Sequence, residues 1–323
     1  MAYSEQVIRR ARARLAQEKE QCEAESSARI ASIYEKYPRL SEIQRQMRLT
    51  MAKAVSHAFA KGEDTSAAIA AVKEENLALQ QERAWILEAA DLDLSALEPS
   101  VVCSHCGGSG YIGAAMCECL QELCRQEQKK ELSSLLGGRE SFDQFRLDYY
   151  PTQPDPVFGV SPRQLMQNVF QRCRSYARSF SRKSPSLLFT GQPGLGKTFL
   201  SACIARTVAD SGCSVVYETV GKIFSDFEAV KFGGLASELT DKYLQCDLLI
   251  MDDLGTEMTT QFTQSVLYQI INSRLMEDKP VIISTNLTDD ELKRRYAAPI
   301  ASRLTGTYEL LQFLGSDIRQ LRR

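Results

Sequence analysis

Gly191-Gln192-Pro193-Gly194-Leu195-Gly196-Lys197-Thr198 has the form G-x-x-x-x-G-K-T, the pattern of a phosphate-binding P-loop. The run before it, Ser186-Leu187-Leu188-Phe189-Thr190, is short, apolar and β-prone. The run after it, Phe199 to Asp210, places apolar residues at helical spacing. Strand, loop and helix therefore follow in the order the motif needs. The glycines let backbone N–H groups turn inward around a phosphate with no Cβ in the way. The helix N-terminus adds a partial positive charge and Lys197 a full one. Thr198 is placed to hold Mg²⁺. Gly191 to Phe199 are thus expected to cradle a nucleoside triphosphate.

A second motif follows downstream. Leu248-Leu249-Ile250-Met251 reads as a buried strand and delivers Asp252-Asp253 at its C-terminal end. An apolar strand ending in two carboxylates after a P-loop is the Walker B arrangement. Asp252 would hold Mg²⁺ through water, and Asp253 would act as general base toward the attacking water. Glu257 is placed to share or replace that base role. Pro280 to Asn286 is a further β-run, and Asn286 at its end could contact the γ-phosphate or position the water. Thr288-x-x-Glu291 caps the next helix. Arg303 and Arg319 follow the last of these strands. A guanidinium there can stabilise charge developing on the transferred phosphoryl, and either can equally form a surface ion pair. Upstream of the Asp pair, Ser214 to Glu218 is a second strand. A helix from Lys222 to about Val230 leads into Lys231-Phe232-Gly233-Gly234.

The 323 residues suffice for one large core and an accessory domain. A net charge of −2 excludes a uniformly basic, nucleic-acid-coating protein. No apolar run is long enough to span a bilayer, so no membrane role is expected. Arg9, Arg10, Arg12 and Arg14 lie among acidic residues, which argues against a transit peptide. The ten cysteines, without a secretion signal, point to a cytoplasmic chain with thiols and a metal-type cluster, not to disulfides.

Residues 1–98 carry almost no strand signal and read as a helical arm. A first helix runs to Pro38, and a second starts at Ser41 with the face Ile43, Met47, Met51 and Ala54, ending near Gly62. A third starts near Thr65, with Ile69, Val72, Leu79 and Ile86 on one side. The thin apolar seam is expected to meet a partner chain, a self-contained three-helix bundle being the alternative. Leu92 to Ser100 reads as a linker. Residues 99–127 hold a cysteine knuckle. Cys103-x-x-Cys106, turned by glycines, pairs most simply with Cys117 and Cys119 around a tetrahedral Zn²⁺, with Cys124 or His105 as substitutes. Its first half matches the repeat unit of DnaJ-type zinc modules, but only one repeat is present. Residues 128–160 comprise a helix ending at Gly137-Gly138 and an aromatic segment, Phe142, Phe145, Tyr149 and Tyr150. That segment either lines a base pocket or packs as ordinary core. Residues 161–323, opening on a basic amphipathic helix over 161–181, form the nucleotide domain.

Taken together, GQPGLGKT, LLIMDDLG, VIISTNL, ASRL and GSDIR resemble the AAA+ ATPases of the DnaC/DnaI-type bacterial helicase loaders and the related IstB-type transposition ATPases. The resemblance is firm over residues 141–323, and the arm with its knuckle looks like the helicase-binding half of the loaders. It implies an α/β fold with a five-stranded parallel sheet in the order 5-1-4-3-2 and ATP at the carboxyl ends of the strands. Residues 304–323 are too few for the usual helical lid domain, a truncation the loaders share. In this resemblance Lys197, Thr198, Asp252, Asp253 and Asn286 act in cis. Arg303 is the finger offered to a neighbouring subunit in self-assembly, and Arg319 is a sensor. Lys231 and Phe232 sit where loaders touch single-stranded DNA, although a plain helix end would read the same way. The implied function is ATP-dependent loading of the replicative hexameric helicase onto single-stranded DNA, with hydrolysis as a release switch. The alternative is a transposition helper that delivers target DNA to a transposase.

Overall fold

The computed structural model describes residues 3–59, 65–136, 140–234 and 236–321. The expected helix ends at Gly62 and at Gly137-Gly138 lie outside these residues. The chain forms two compact units, Met1–Arg12 with Leu120–Arg323, and Ala13–Cys119.

The larger unit is built on a parallel sheet. Its α-helices are the first turns of α1 (Glu5–Lys36), α4 (Glu118–Leu136), α5 (Pro162–Arg178), α6 (Lys197–Asp210), α7 (Val220–Gly233), α8 (Glu238–Gln245), α9 (Gln261–Met276), α10 (Asp289–Arg295), α11 (Ala298–Gly306) and α12 (Ile318–Leu321). Its strands are β3 (Leu187–Thr190), β4 (Val215–Thr219), β5 (Leu248–Leu254), β6 (Val281–Thr285) and β7 (Glu309–Gln312). They pair β4-β5-β6-β3-β7, all parallel. This is the order 5-1-4-3-2 that the resemblance implied.

The alternation of side chains along each strand divides the core in two. Leu187, Phe189, Leu248, Ile250 and Ile282 face one layer with Met166, Val169 and Cys173 of α5 and Leu200 and Ile204 of α6. Leu188, Leu249, Met251, Val281 and Ile283 face the other, with helices α7 to α11. Burial on both faces explains why the central strands read as unbroken apolar runs. At the sheet edge, Gln128 of α4 accepts a hydrogen bond from Val215 N (3.1 Å) and donates one to Cys213 O (3.0 Å), occupying groups that a further strand would otherwise take.

Helix α8 gave no clear signal in the sequence, and its C-terminal end is held by a residue distant in sequence. Arg274 of α9 is fully buried. Its guanidinium donates to the carbonyls of Tyr243 (3.0 Å), Cys246 (3.1 Å) and Pro280 (2.8 Å). The charge faces the negative end of α8, and no carboxylate among the described residues is bonded to it. Arg274→Ala should leave these carbonyls without donors and destabilise the unit by about 3–5 kcal/mol, read from chemical denaturation.

The smaller unit contains the rest of α1, α2 (Pro38–Phe59), α3 (Thr65–Ala89) and a hairpin of β1 (Tyr111–Ile112) and β2 (Ala115–Met116). Helix α2 starts at Pro38 rather than Ser41, because a proline fits the first turn, where its missing N–H costs nothing. Of the expected seam, Ile43 and Leu79 are buried, whereas Met51 is 65% exposed. The side chains of Ala54 and Ile69 lie outside the described residues. Leu92 to Ser100 is not a free linker. Leu97 is buried against Leu40 and Leu87, and Arg29 donates to Ala96 O, Glu98 O and Ser100 Oγ. No described helix is long and apolar enough to cross a membrane.

Candidate functional site

At the carboxyl ends of β3, β5 and β6 lies a cavity of about 440 Å³, a volume in the range of nucleotide-sized ligands. Pro193 to Phe199, Asp253, Asn286 and Arg319 all line it. Gly191 and Gln192 turn their carbonyls toward Lys197. Gly194 and Gly196 have φ of +80° and +90°, and α6 starts directly after Gly196. At Gly194 even a Cβ would collide with the Asp317 carboxylate, so only glycine fits this turn.

The segment after β7 is laced to the loop. Phe313 N donates to Thr190 O (2.7 Å) and Ile318 N to Gly194 O (3.1 Å). A Cβ on Gly191 would lie 2.4 Å from Phe313 O.

Lys197 is 5% exposed and donates to Gly191 O (2.6 Å), Gln192 O (2.8 Å) and Asn286 Oδ1 (2.7 Å). Burial lowers its pKa from 10.5 to about 8, against the pull of Asp253 and Asp252, with Arg319 pushing in the same direction as burial. A buried ammonium resting on loop carbonyls is a cation short of an anion, which fits a phosphate ligand.

Between Met251 and Leu254 the register of β5 against β6 breaks. Asp253 takes a φ of +60°, uncommon for a residue with a Cβ, and lines the cavity. Burial raises its pKa, as does the adjacent Asp252, while Lys197 and Arg319 oppose. Asp252 is 4% exposed and does not line the cavity. Ser284 Oγ donates to its Oδ1, and Tyr217 OH donates to its Oδ2 at 2.9 Å. Ser284 Oγ also accepts from Asp253 N (3.0 Å), so one hydroxyl holds both members of the acidic pair. Each carboxylate oxygen of Asp252 keeps a lone pair for a water on Mg²⁺, which leaves Thr198 and Asp252 compatible with that ion. The Tyr217 hydroxyl also lies 3.0 Å from Ser201 Oγ on α6. Tyr217 and Ser284 escaped the sequence reading because they sit inside strands, where they count as ordinary β-formers.

Glu257 is committed elsewhere. It accepts from Gly255 N (2.7 Å) and from Tyr296 OH. Its carboxylate therefore braces the turn after β5.

The structure does not bring every candidate to the cavity. Arg303 of α11 donates to Asn272 Oδ1 (2.9 Å) and lies over the Tyr268 ring, 4.8 Å from its centroid. Lys231 and Phe232 end α7, which runs on to Gly233 instead of stopping near Val230. Lys231 Nζ lies 5.3 Å from the Phe232 ring centroid and 5.1 Å from that of Phe262. Phe262 is an aromatic that the sequence reading passed over. The aromatic segment divides between core and cavity wall. Tyr150 is buried and donates to Leu195 O (2.8 Å), while Phe145 and Tyr149 line the cavity.

In the smaller unit the Sγ atoms of Cys103, Cys106, Cys117 and Cys119 all lie within 4.8 Å of one another. Cys103 and Cys117 are 3.8 Å apart, Cys106 and Cys119 3.5 Å. Four thiolates placed about 2.3 Å from a tetrahedral ion would be separated by roughly 3.8 Å, so the set fits zinc. The knuckle turns on Gly107, Gly108 and Gly110, all at positive φ, and Gly110 N donates to Cys106 Sγ (3.3 Å). Burial opposes charge on Cys106, but that amide, Cys119 and Gly108 together bring its thiol down to about 6. His105 and Cys124 are not part of the cluster.

The parallel sheet, the P-loop and the acidic pair at the end of β5 define a P-loop nucleotide-binding domain. Residues 162–305 match the family model for IstB-like ATP binding protein. Over 139 residues the chain is 27% identical to the replicative helicase loader DnaC of Escherichia coli K12, covering 42% of this chain and 57% of that protein. It is 22% identical over 192 residues to the DnaC of Buchnera aphidicola subsp. Acyrthosiphon pisum, covering 57% of this chain and 74% of that protein. A crystal structure of the DnaC helicase loader aligns with 54% of this chain and 97% of its own at a TM-score of 0.46 and 20% identity.

Proposed function

We propose that the chain is an ATP-controlled loader of the hexameric replicative helicase onto single-stranded DNA, working in the cytoplasm. The observation that carries this reading is the similarity of its ATP-binding core to proteins named replicative helicase loader. Gly191 to Phe199 wrap the triphosphate, and Lys197 exchanges its loop carbonyls for phosphate oxygens. Asn286, released from Lys197, orients the attacking water, and Asp253 accepts its proton. The raised basicity of Asp253 suits that task. Mg²⁺ held through Thr198 and Asp252 supplies charge neutralisation at the phosphates. Arg319 reads the γ-phosphate from within the chain, and Arg303 offers a guanidinium to a second copy. Phe232 and Phe262, with Lys231 between them, contact bases and phosphate without reading sequence. The four cysteines hold Zn²⁺, and the helices of the smaller unit grip the helicase. Hydrolysis is the release switch.

The test is co-purification of the full chain with the replicative helicase of its own cell in the presence of ATP. A second arm of the test replaces Leu77 and Trp85, which are 53% and 69% exposed, with aspartate. Deleting residues 1–100 would be a poorer test, because Val7 and Ala11 are buried in the nucleotide-binding unit. A complex formed by the natural chain and weakened at least about tenfold by the substitutions is the expected result. Absence of any complex would favour the transposition helper.

A further inference from the structure

A chain of hydroxyls ties the carboxylate of Asp252 to the helix that follows the phosphate loop. Tyr217 of β4 pairs in register with Ile250, so Asp252, two residues further along β5, shares its face as a diagonal neighbour. The Tyr217 hydroxyl donates to Asp252 Oδ2 (2.9 Å) and lies 3.0 Å from Ser201 Oγ. Ser201 Oγ in turn lies 3.0 Å from the carbonyl oxygen of Thr198, one turn earlier on α6. Neither hydroxyl bonds to anything else among the described residues. Two hydroxyl protons thus serve three oxygen–oxygen contacts. The carboxylate oxygen is the costliest of these to leave without a donor. The phenol proton therefore stays on Asp252, and Ser201 donates to Tyr217 or to Thr198.

The chain runs from Thr198 to Asp252, the two residues compatible with Mg²⁺. That ion demands near-ideal octahedral geometry at about 2.0–2.1 Å, whereas Ca²⁺ accepts about 2.3–2.6 Å and a variable number of ligands. Groups that serve Mg²⁺ must therefore keep a fixed spacing. Ser284, the other donor to Asp252, sits on β6 and makes no bond to α6 among the described residues. We infer that Tyr217 is a positioning residue for Mg²⁺: its hydroxyl, backed by Ser201, holds the Asp252 carboxylate at a set distance from Thr198 and so favours the smaller ion. The inference rests on the ATP reading above and adds to it the residue that orders the metal side of the site.

The experiment measures the affinity of the full chain for a fluorescent ATP analogue in EDTA, then titrates Mg²⁺ and, separately, Ca²⁺. Tyr217→Phe keeps the ring and removes only the hydroxyl. It should raise the Mg²⁺ concentration needed for half-maximal effect at least about tenfold. The Ca²⁺ requirement should rise by less than about threefold, because that ion tolerates looser spacing. Affinity in EDTA should not change. Ser201→Ala should shift the Mg²⁺ requirement in the same direction, and the double variant no further than Tyr217→Phe, as for two parts of one tether. If the phenylalanine variant does not fold, Ser201→Ala decides alone, a rise confined to Mg²⁺ being the expected result. Losses of equal size in EDTA, Mg²⁺ and Ca²⁺ would mark a purely structural hydroxyl and overturn the inference, as would an unchanged Mg²⁺ requirement. Binding by the natural chain that is indifferent to Mg²⁺ would overturn the inference and spare the ATP reading. No binding under any condition would overturn both.

Discussion

Lys197→Ala is expected to hydrolyse ATP at least about a hundredfold more slowly than the natural chain, yet to melt at a higher temperature when nucleotide is absent. The first effect follows from removing the cation proposed to meet the phosphates. The second follows from burial. The folded chain lets the ammonium deprotonate near pH 8 instead of 10.5. Below pH 8 both folded and unfolded chains carry the charge, and the folded one bears a cost of roughly 3 kcal/mol for it. Between pH 8 and 10.5 the unfolded chain holds the proton and the folded chain does not, so stability rises with pH and the cost is relieved. Three hydrogen bonds are lost with the side chain, but their acceptors border an open cleft where water replaces the ammonium. A net gain of about 1–2 kcal/mol, or several degrees in Tm, should appear in calorimetry at pH 7 and shrink toward pH 10. Phosphate release measured with Mg²⁺-ATP checks the catalytic half. A variant both inactive and less stable at pH 7 would show that the lysine serves the fold rather than the ligand.

Stripping the four-cysteine site should have the other large effect. Purified under reducing conditions, the chain is expected to carry about one zinc, and Cys103→Ser with Cys106→Ser to carry almost none, read by elemental analysis. Structural zinc sites contribute on the order of 10 kcal/mol to the segments they organise. The short β1–β2 hairpin cannot replace that from its own contacts. Amides from Val101 to Cys119, including Cys117 N bonded to Gly110 O at 2.8 Å, should then lose protection from exchange. ATP turnover, proposed above for the other unit, should change far less.

The features legible in the sequence are those encoded locally. A P-loop needs glycines at fixed steps, and a strand buried on both faces must be apolar throughout. Leu187 to Thr190, Leu248 to Met251 and Val281 to Thr285 therefore announced themselves, and their order in the sheet followed from the resemblance. The residues overlooked all act across long stretches of chain. Arg274 reaches back to Tyr243, Ser284 to Asp252, and Tyr217 forward to Asp252. None of these pairs has a fixed spacing that a pattern could register. The misreading of Leu92 to Ser100 has the same origin. Leu97 is pinned by Leu40 and Leu87, partners that composition alone does not reveal. Glu257 was ambiguous because proximity to the acidic pair is visible in sequence, whereas the claims of Gly255 and Tyr296 on its carboxylate are not.

Residues 313–318 act as a splint across the phosphate loop. They hold it from one side at Thr190 and from the other at Gly194, with Gly191 pressed beneath Phe313. A loop splinted at both ends cannot yield to a triphosphate without moving the splint, and tension applied to the splint must deform the loop. Whatever grips the chain beyond β7 therefore has mechanical access to the nucleotide without touching it.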